Sequence, residues 1–204
     1  MGIQERLLSN PSIFSFFNFI IGGNSRTNRI IEEYVSPHPE QVVVDIACGR
    51  GEYSKKIRVS NYIGIDSNPS YITHAAKNYS EFGSFHCCDV SDLSTVLSGQ
   101  KIDKALLIGI LHHLTDTQAR NMIKDIAENL ADGGEIISVD PVFTPEQGLI
   151  ARLLAASDRG KYVRSVDGHQ SLFAESAEIV IAEIREDWLR MPYTHYECVS
   201  KKTV

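Results

Sequence analysis

Three aspartates close three apolar runs of the sequence, and each is a residue type that could hold part of a nucleoside-like ligand. The first lies in Val42-Val43-Val44-Asp45-Ile46-Ala47-Cys48-Gly49-Arg50-Gly51, an apolar strand leading into a glycine turn and then a predicted helix. Glycines there let the backbone approach a ligand closely, and a following helix offers free N–H groups and its positive end. Dinucleotide-binding folds use the same turn, but Asp45 argues for another ligand. A carboxylate at the strand end suits the ammonium of an amino-acid cofactor and repels a pyrophosphate. The second run ends Tyr62-Ile63-Gly64-Ile65-Asp66-Ser67, where Asp66 can accept both hydroxyl hydrogens of a ribose. The third ends Cys87-Cys88-Asp89-Val90, where a carboxylate and the adjacent backbone N–H can bracket the amino edge of an adenine. Singly, each aspartate reads better as a helix cap or turn residue. Together, at the carboxyl ends of neighbouring parallel strands, they share one crevice and point to an adenosine-type cofactor.

The elements that carry these aspartates follow from the patterning. Asn10-Pro11 reads as an N-cap with proline at the first helical position, so Ser12 to Ile21 is predicted helical and Gly22-Gly23 closes it. A second helix is predicted from Thr27 to Tyr34, before the breaker Pro37-His38-Pro39. A strand at Val42–Ala47, a helix at Glu52–Val59, a strand at Tyr62–Ile65 and a helix at Pro69–Tyr79 then alternate. That rhythm predicts an α/β fold, a doubly wound, mostly parallel sheet with helices on both faces. Further strands read at Ser84–Cys88, Lys104–Ile108 and Glu135–Val139, with a helix over Asp116–Leu130 ended by Asp132-Gly133-Gly134. Ile179–Ile184 and His195–Val199 bring the strands to seven.

Bulk properties narrow the partners. The 204 residues, 43% of them hydrophobic, suffice for one domain with its own core. We divide it into N-terminal helices (1–40), a core (41–140), a lid over the acceptor crevice (141–177) and the last strands (178–204). A net charge of -6 gives no pull toward a phosphate backbone or an anionic membrane, so neither nucleic acid nor membrane is an expected partner. Ile13–Ile21 is too short to span a bilayer and lacks the flanks of a signal peptide. Cys48, Cys87, Cys88 and Cys198 form no C-x-x-C pair, as expected of reduced thiols in a cytoplasmic protein. No zinc or EF-hand spacing is present, and no metal is expected.

The successive motifs resemble those of the class I S-adenosylmethionine-dependent methyltransferases. The likeness includes the fourth-strand segment Leu106-Leu107-Ile108-Gly109-Ile110-Leu111-His112-His113-Leu114 and the turn Asp132-Gly133-Gly134-Glu135-Ile136. The flanks Gly22-Gly23-Asn24-Ser25-Arg26, Asp158 to Arg164 and Leu189 to His195 are similar to a group of short bacterial members. This resemblance implies a seven-stranded Rossmann-like sheet whose last strand is antiparallel, with S-adenosyl-L-methionine as cofactor. It implies that the backbone at Ala47, Cys48 and Gly49 meets the methionine part, and we count Asp45 and Arg26 with them as cofactor-binding residues. Asp66 and Ser67 would meet the ribose, Asp89 and Val90 the adenine, and Gly109 would let the fourth strand pass close by. Ala47 stands where the family usually has its first glycine. We expect that departure to be mild, with the essential bend at Gly49 to Gly51.

Methyl transfer from a sulfonium is an in-line displacement, so positioning matters most, and a base is needed only where the nucleophile must lose a proton. His112 is the best-placed base, following the fourth strand at the cofactor end. The competing reading has His112 or His113 merely capping the turn before Thr115 and Asp116. Around the acceptor we place His113, Asp140, Arg159, Tyr162, Arg164, Arg190, Tyr193 and His195; the cations in the predicted lid suggest a small anionic acceptor. Asp140 is also the carboxylate to watch for a scattered magnesium site. The strand and glycine turn alone would also permit a nicotinamide-dependent oxidoreductase, and the fold a noncatalytic S-adenosylmethionine-binding regulator.

Overall fold

A computed structural model describes residues 23–157 and 160–203; the helix predicted at Ser12–Ile21 lies outside them. Helix α1 (Gly23–Ile30) widens into a single π-helical turn (Ile31–Val35), closed where Ser36, at φ 41°, donates its N–H to Ile31 O at 2.8 Å. The strands are β1 (Val42–Ile46), β2 (Asn61–Asp66), β3 (Ser84–Cys87), β4 (Ile102–Ile108), β5 (Leu130–Phe143), β6 (Arg164–Ser165), β7 (Ala177–Arg185) and β8 (His195–Lys202). Between them lie α2 (Pro69–Tyr79), α3 (Leu93–Leu97), α4 (Asp116–Asn129), α5 (Leu149–Ala156) and α6 (Val166–Gln170). The sheet order is β3-β2-β1-β4-β5-β8-β7, with the two-residue β6 beside the end of β5. Strand β8 runs antiparallel to both its neighbours and the other pairings are parallel. The doubly wound, mostly parallel sheet with an antiparallel last strand is therefore the observed architecture, extended by the short β6.

Alternation along the strands sorts the core into two layers. Val44, Ile46, Ile63, Ile65, Ala105 and Leu107 pack with Met122, Ile123 and Ile126 of α4. Val43, Tyr62, Leu106, Ile137 and Val139 pack on the other face with Ile30, Tyr34 and Trp188. Local chemistry fixes the helix starts: Asn68 caps α2 by accepting from Ser70 N at 3.0 Å with Pro69 at the first position. Thr115 and Gln118 form a reciprocal capping box on α4.

The predicted helix at Glu52–Val59 is instead a run of turns. The Ser54 hydroxyl donates to Gly51 O at 2.6 Å and its N–H to the same oxygen at 3.2 Å. This local bonding competes with an i to i-4 ladder, and only Ile57 N to Tyr53 O, at 2.9 Å, has helical spacing. The glycine turn is therefore not followed by the helix N-terminus expected there. The second predicted helix starts earlier than Thr27, at Gly23. Helices α3, α5 and α6 were not legible as separate elements.

Candidate functional site

The tips of β1, β2 and β3 lie side by side, joined beyond the strands by Cys48 N to Ile65 O at 3.0 Å and Cys88 N to Asp66 O at 3.1 Å. Asp45 is 3% exposed and accepts from the Tyr62 hydroxyl of the neighbouring strand at 2.5 Å. Burial pushes its carboxyl up to about 7; the Tyr62 hydroxyl opposes this and the negative charge of Asp66 adds to it. The same burial raises the Cys48 thiol, so Cys48 contributes backbone and bulk rather than a thiolate.

The turn after β1 is left-handed at alternate residues: Ala47 at φ 61°, Gly49 at 57° and Gly51 at 80°. This corrects the expectation that the bend sits only at Gly49 to Gly51. Ala47 itself carries the first positive φ, a conformation costing an L-residue about 1–2 kcal/mol. A Cβ on Gly49 would meet nothing within 4 Å, so the turn faces open space there, whereas one on Gly51 would strike Phe85 and Ala75. Asp66 holds the turn in place: Oδ2 accepts from Gly49 N at 2.9 Å and Oδ1 from Asn68 N at 2.8 Å. Each oxygen keeps acceptor capacity for a further donor. Asp89 caps the 3-10 turn Val90–Asp92, accepting from Ser91 N at 3.0 Å and Ser91 Oγ at 2.9 Å. The Ser91 backbone N–H, then its hydroxyl, hold the exposed Asp89 carboxyl below its ordinary value. Val90 is half-buried and Ser67 is exposed. A buried carboxylate, an open glycine turn and a second carboxylate fixed by backbone N–H groups fit an adenosine-type cofactor carrying an ammonium group.

Beyond β4, Gly109 adopts φ 72° and donates to Val139 O at 2.8 Å. The 3-10 turn Leu111–His113 follows. His112 is buried, its Nδ1 lying 2.5 Å from Asp140 Oδ1, which also accepts from His112 N at 3.1 Å. Gly160 packs on the imidazole so closely that a Cβ there would lie 1.9 Å from Cδ2, and Tyr162 N donates to His112 O at 3.0 Å. His113 is exposed, its ring 4.1 Å from that of His112. The structure thus makes Asp140, 1% exposed, the partner of His112, with Oδ2 lacking a hydrogen-bond partner. Nearby, His169 shares a 3.1 Å bond with Ser138 Oγ; burial drives its pKa down to about 4, opposed by Asp140 and assisted by Arg164 and His112.

Arg164 is corrected. Its guanidinium donates to Leu111 O and Leu114 O, both at 2.7 Å, to Tyr162 O at 3.0 Å and from Nε to Asp116 at 2.9 Å, with Nη2 in an ion pair with the same carboxylate at 2.7 Å. Four hydrogen bonds and the ion pair turn this guanidinium, 8% exposed, toward the loop around His112 rather than toward an anionic acceptor. Tyr162 is 39% exposed and Arg190 exposed, while Arg159 lies outside the described residues. On the other face of the sheet, Arg26 Nη1 sits 3.3 Å from His195 Nε2, and the Tyr193 and His195 rings are 5.0 Å apart. The acceptor candidates therefore divide, with Asp140 and Tyr162 grouped around His112, and Tyr193 and His195 in a second group beside Arg26, which we assign to the cofactor. Sequence reasoning missed Tyr62, which reads as an ordinary core aromatic, and Gly160, whose contact with His112 spans 48 positions. Among the described residues, no group of three or more His, Cys, Asp or Glu could hold a metal ion.

Residues 43–134 match a family model described as a methyltransferase domain. No curated protein matches the sequence significantly. Among solved structures, the pyocyanin biosynthetic protein PhzM aligns with a TM-score of 0.73 at 16% identity, over 100% of this chain and 62% of its own. This chain thus spans less than two thirds of PhzM. The N-methyltransferase NodS from Bradyrhizobium japonicum, in complex with S-adenosyl-L-homocysteine, gives 0.73 at 16% identity over 98% of this chain and 96% of NodS. Magnesium protoporphyrin IX methyltransferase ChlM from Synechocystis gives 0.67 at 18% identity, over 89% and 84%. At such identities the structural likeness is one of fold.

Proposed function

We propose that this chain, whose residues 43–134 match a methyltransferase domain model, is a class I S-adenosylmethionine-dependent methyltransferase that methylates a small acceptor whose proton passes to His112. When bound, S-adenosyl-L-methionine supplies an electrophilic methyl on a sulfonium. The neighbouring N-methyltransferase and porphyrin methyltransferase folds support a small acceptor; neither the nicotinamide nor the regulator alternative finds support among the matches.

In this reading Asp45 meets the ammonium of the methionine part, and the open turn at Ala47, Cys48 and Gly49 lets the backbone approach it. Arg26 reaches the same part from α1. Asp66 and Ser67 take the ribose, Asp89 and Val90 the adenine edge, and Gly109 keeps the end of β4 clear of side chains. The observation that carries the mechanism is the 2.5 Å contact of His112 Nδ1 with Asp140. Asp140 accepts a hydrogen bond from Nδ1–H, which leaves Nε2 as the basic nitrogen and stabilises the imidazolium once the acceptor's proton arrives. Arg164 and Gly160 hold that imidazole in place and exclude water around it. The segment 141–177 acts as the lid, with Tyr162 and His113 at its rim and Tyr193, His195 and Arg190 across the crevice. An anionic acceptor then rests on Arg190, since Arg164 is held by the loop and Arg26 serves the cofactor.

We further read the chain as a cytoplasmic, bacterial enzyme. Four free cysteines support a reducing setting. Among the described residues, no helix is long and apolar enough to cross a membrane.

An acceptor screen with methyl-labelled S-adenosylmethionine tests the activity. With the acceptor found, His112→Ala should lower turnover about 10²- to 10⁴-fold while leaving S-adenosylhomocysteine affinity unchanged. An unaltered rate and pH profile would return His112 to a purely structural role.

A further inference from the structure

Strand β7 is one of the two edges of the sheet, opposite β3, and no strand pairs with its outer side among the described residues. At nine residues it exceeds the average strand of about 5–6. Its sequence, Ala177-Glu178-Ile179-Val180-Ile181-Ala182-Glu183-Ile184-Arg185, contains neither the proline nor the lysine that commonly blunts such an edge. Val180, Ile181 and Ile184 are 48%, 44% and 51% exposed.

The register with β8 sorts these side chains into faces. Ala177, Ile179, Ala182 and Ile184 lie opposite Lys202, Ser200, Cys198 and Tyr196, on one face. Glu178, Ile181, Glu183 and Arg185 lie opposite Lys201, Val199, Glu197 and His195, on the other. Val180 is the extra residue where the register shifts between Ile179 and Ile181.

An antiparallel partner must match faces residue by residue, because a slip of one position sends every side chain to the wrong side. A second copy of β7 does so when Ala182 faces itself on a two-fold axis. Ile181 then faces Glu183, both copies leave Val180 as the bulged residue, Ile179 faces Ile184, and Glu178 faces Arg185. Each half of the ladder gains an apolar pair, a mixed pair of Ile181 with Glu183, and an opposite-charge pair that adds Glu178 to an Arg185 already bridged to Glu33 and Glu183, with a small side chain on the axis. The two neighbouring two-fold registers lack this complementarity. One sets Glu183 against Glu183, and the other sets Glu178 against Glu183 twice.

We propose that β7 pairs antiparallel with β7 of a second copy of this chain, joining two sheets into one across a two-fold axis at Ala182. The interface is isologous, each copy offering the same strand.

Light scattering on the intact chain over a concentration series reads the outcome. The expected mass is twice 22.7 kDa, falling to that of one chain on dilution. Ala182→Glu places a charge against its own copy on the axis and should raise the dimer dissociation constant roughly tenfold or more. Because Ala182 is exposed in the single chain, the melting temperature at dilutions where the parent is monomeric should be unchanged. A parent chain that stays monomeric at every concentration, or an Ala182→Glu dimer as tight as the parent's, would overturn the proposal. If Ala182→Glu fails to fold, Ala182→Cys serves. A short thiol cross-linker should then give a covalent dimer beyond what the parent cysteines yield, and its absence would equally overturn the pairing.

Discussion

Asp45 makes the sharpest quantitative prediction, because burial and ligand binding pull its carboxyl in opposite directions. In the folded chain it titrates near 7 rather than at its ordinary 3.8. A carboxyl whose folded value is raised binds its proton more tightly in the native state, so stability falls as pH rises from about 4 to about 7. At 1.36 kcal/mol per pH unit, this costs on the order of 4 kcal/mol by pH 8. Asp45→Asn keeps the shape and removes the charge, so it should flatten that slope and be the more stable protein at pH 8. The cofactor reverses the sign. An ammonium beside Asp45 favours the carboxylate, so binding below pH 7 must release a proton from it. Affinity for S-adenosylhomocysteine should therefore rise about tenfold per pH unit from pH 5 to nearly 7 and then level off, a window below the titration of an α-amino group. Calorimetry in buffers of different ionisation enthalpy reads both the dissociation constant and the released proton. A flat affinity profile from pH 5 to 7, or an Asp45→Asn variant that keeps the parent's affinity and slope, would refute the assignment of Asp45 to the ammonium.

The turn and the acceptor loop give further tests. Ala47→Gly removes a left-handed alanine worth about 1–2 kcal/mol of strain, less about 0.5–1 kcal/mol of added chain entropy, so thermal melting should rise slightly; a clear fall would mean the Ala47 methyl packs usefully. Gly160→Ala pushes a methyl into the His112 ring, and turnover should drop while S-adenosylhomocysteine affinity, measured by calorimetry, holds. Arg164→Ala removes the guanidinium from Leu114 O and from Leu111 O, which keeps only the Leu114 N–H at 3.2 Å, and should cost about 1–3 kcal/mol by denaturant melting, along with turnover; Arg164→Lys should recover only part, since an ammonium cannot span three carbonyls and a carboxylate.

The legible parts of the fold were those written in short-range pattern. β1, β2 and β4 are continuous apolar runs because a parallel sheet is covered on both faces, and α2 is bounded by Asn68 and Pro69 on one side and a polar turn on the other. The stretch after Gly51 was misread because a single buried hydroxyl, that of Ser54, diverts its backbone from the helical ladder. Helix α5 escaped notice because Leu149, Ile150 and Leu153 are exposed and blur the expected amphipathic face. Within the site, the aspartates at the strand tips were readable from sequence order alone. The link between His112 and Asp140 spans 28 positions, and the role of Arg164 depends on backbone carbonyls that no side-chain pattern announces. A basic residue in a turn looks the same whether it awaits a ligand or staples a loop.

Trp188 is the chain's one tryptophan. It lies 2% exposed, its ring 6.1 Å from that of Tyr34 and under the Arg29 guanidinium of α1 at 5.9 Å. Its indole therefore senses the seating of helix α1 against the sheet layer it packs on. A single emission maximum becomes a clean optical gauge of that helix. Since Arg26 sits on the same helix, one turn from Arg29, red-shifted fluorescence would time the undocking of α1 and a blue shift its return, letting stopped-flow mixing follow the N-terminal side of the crevice without any attached dye.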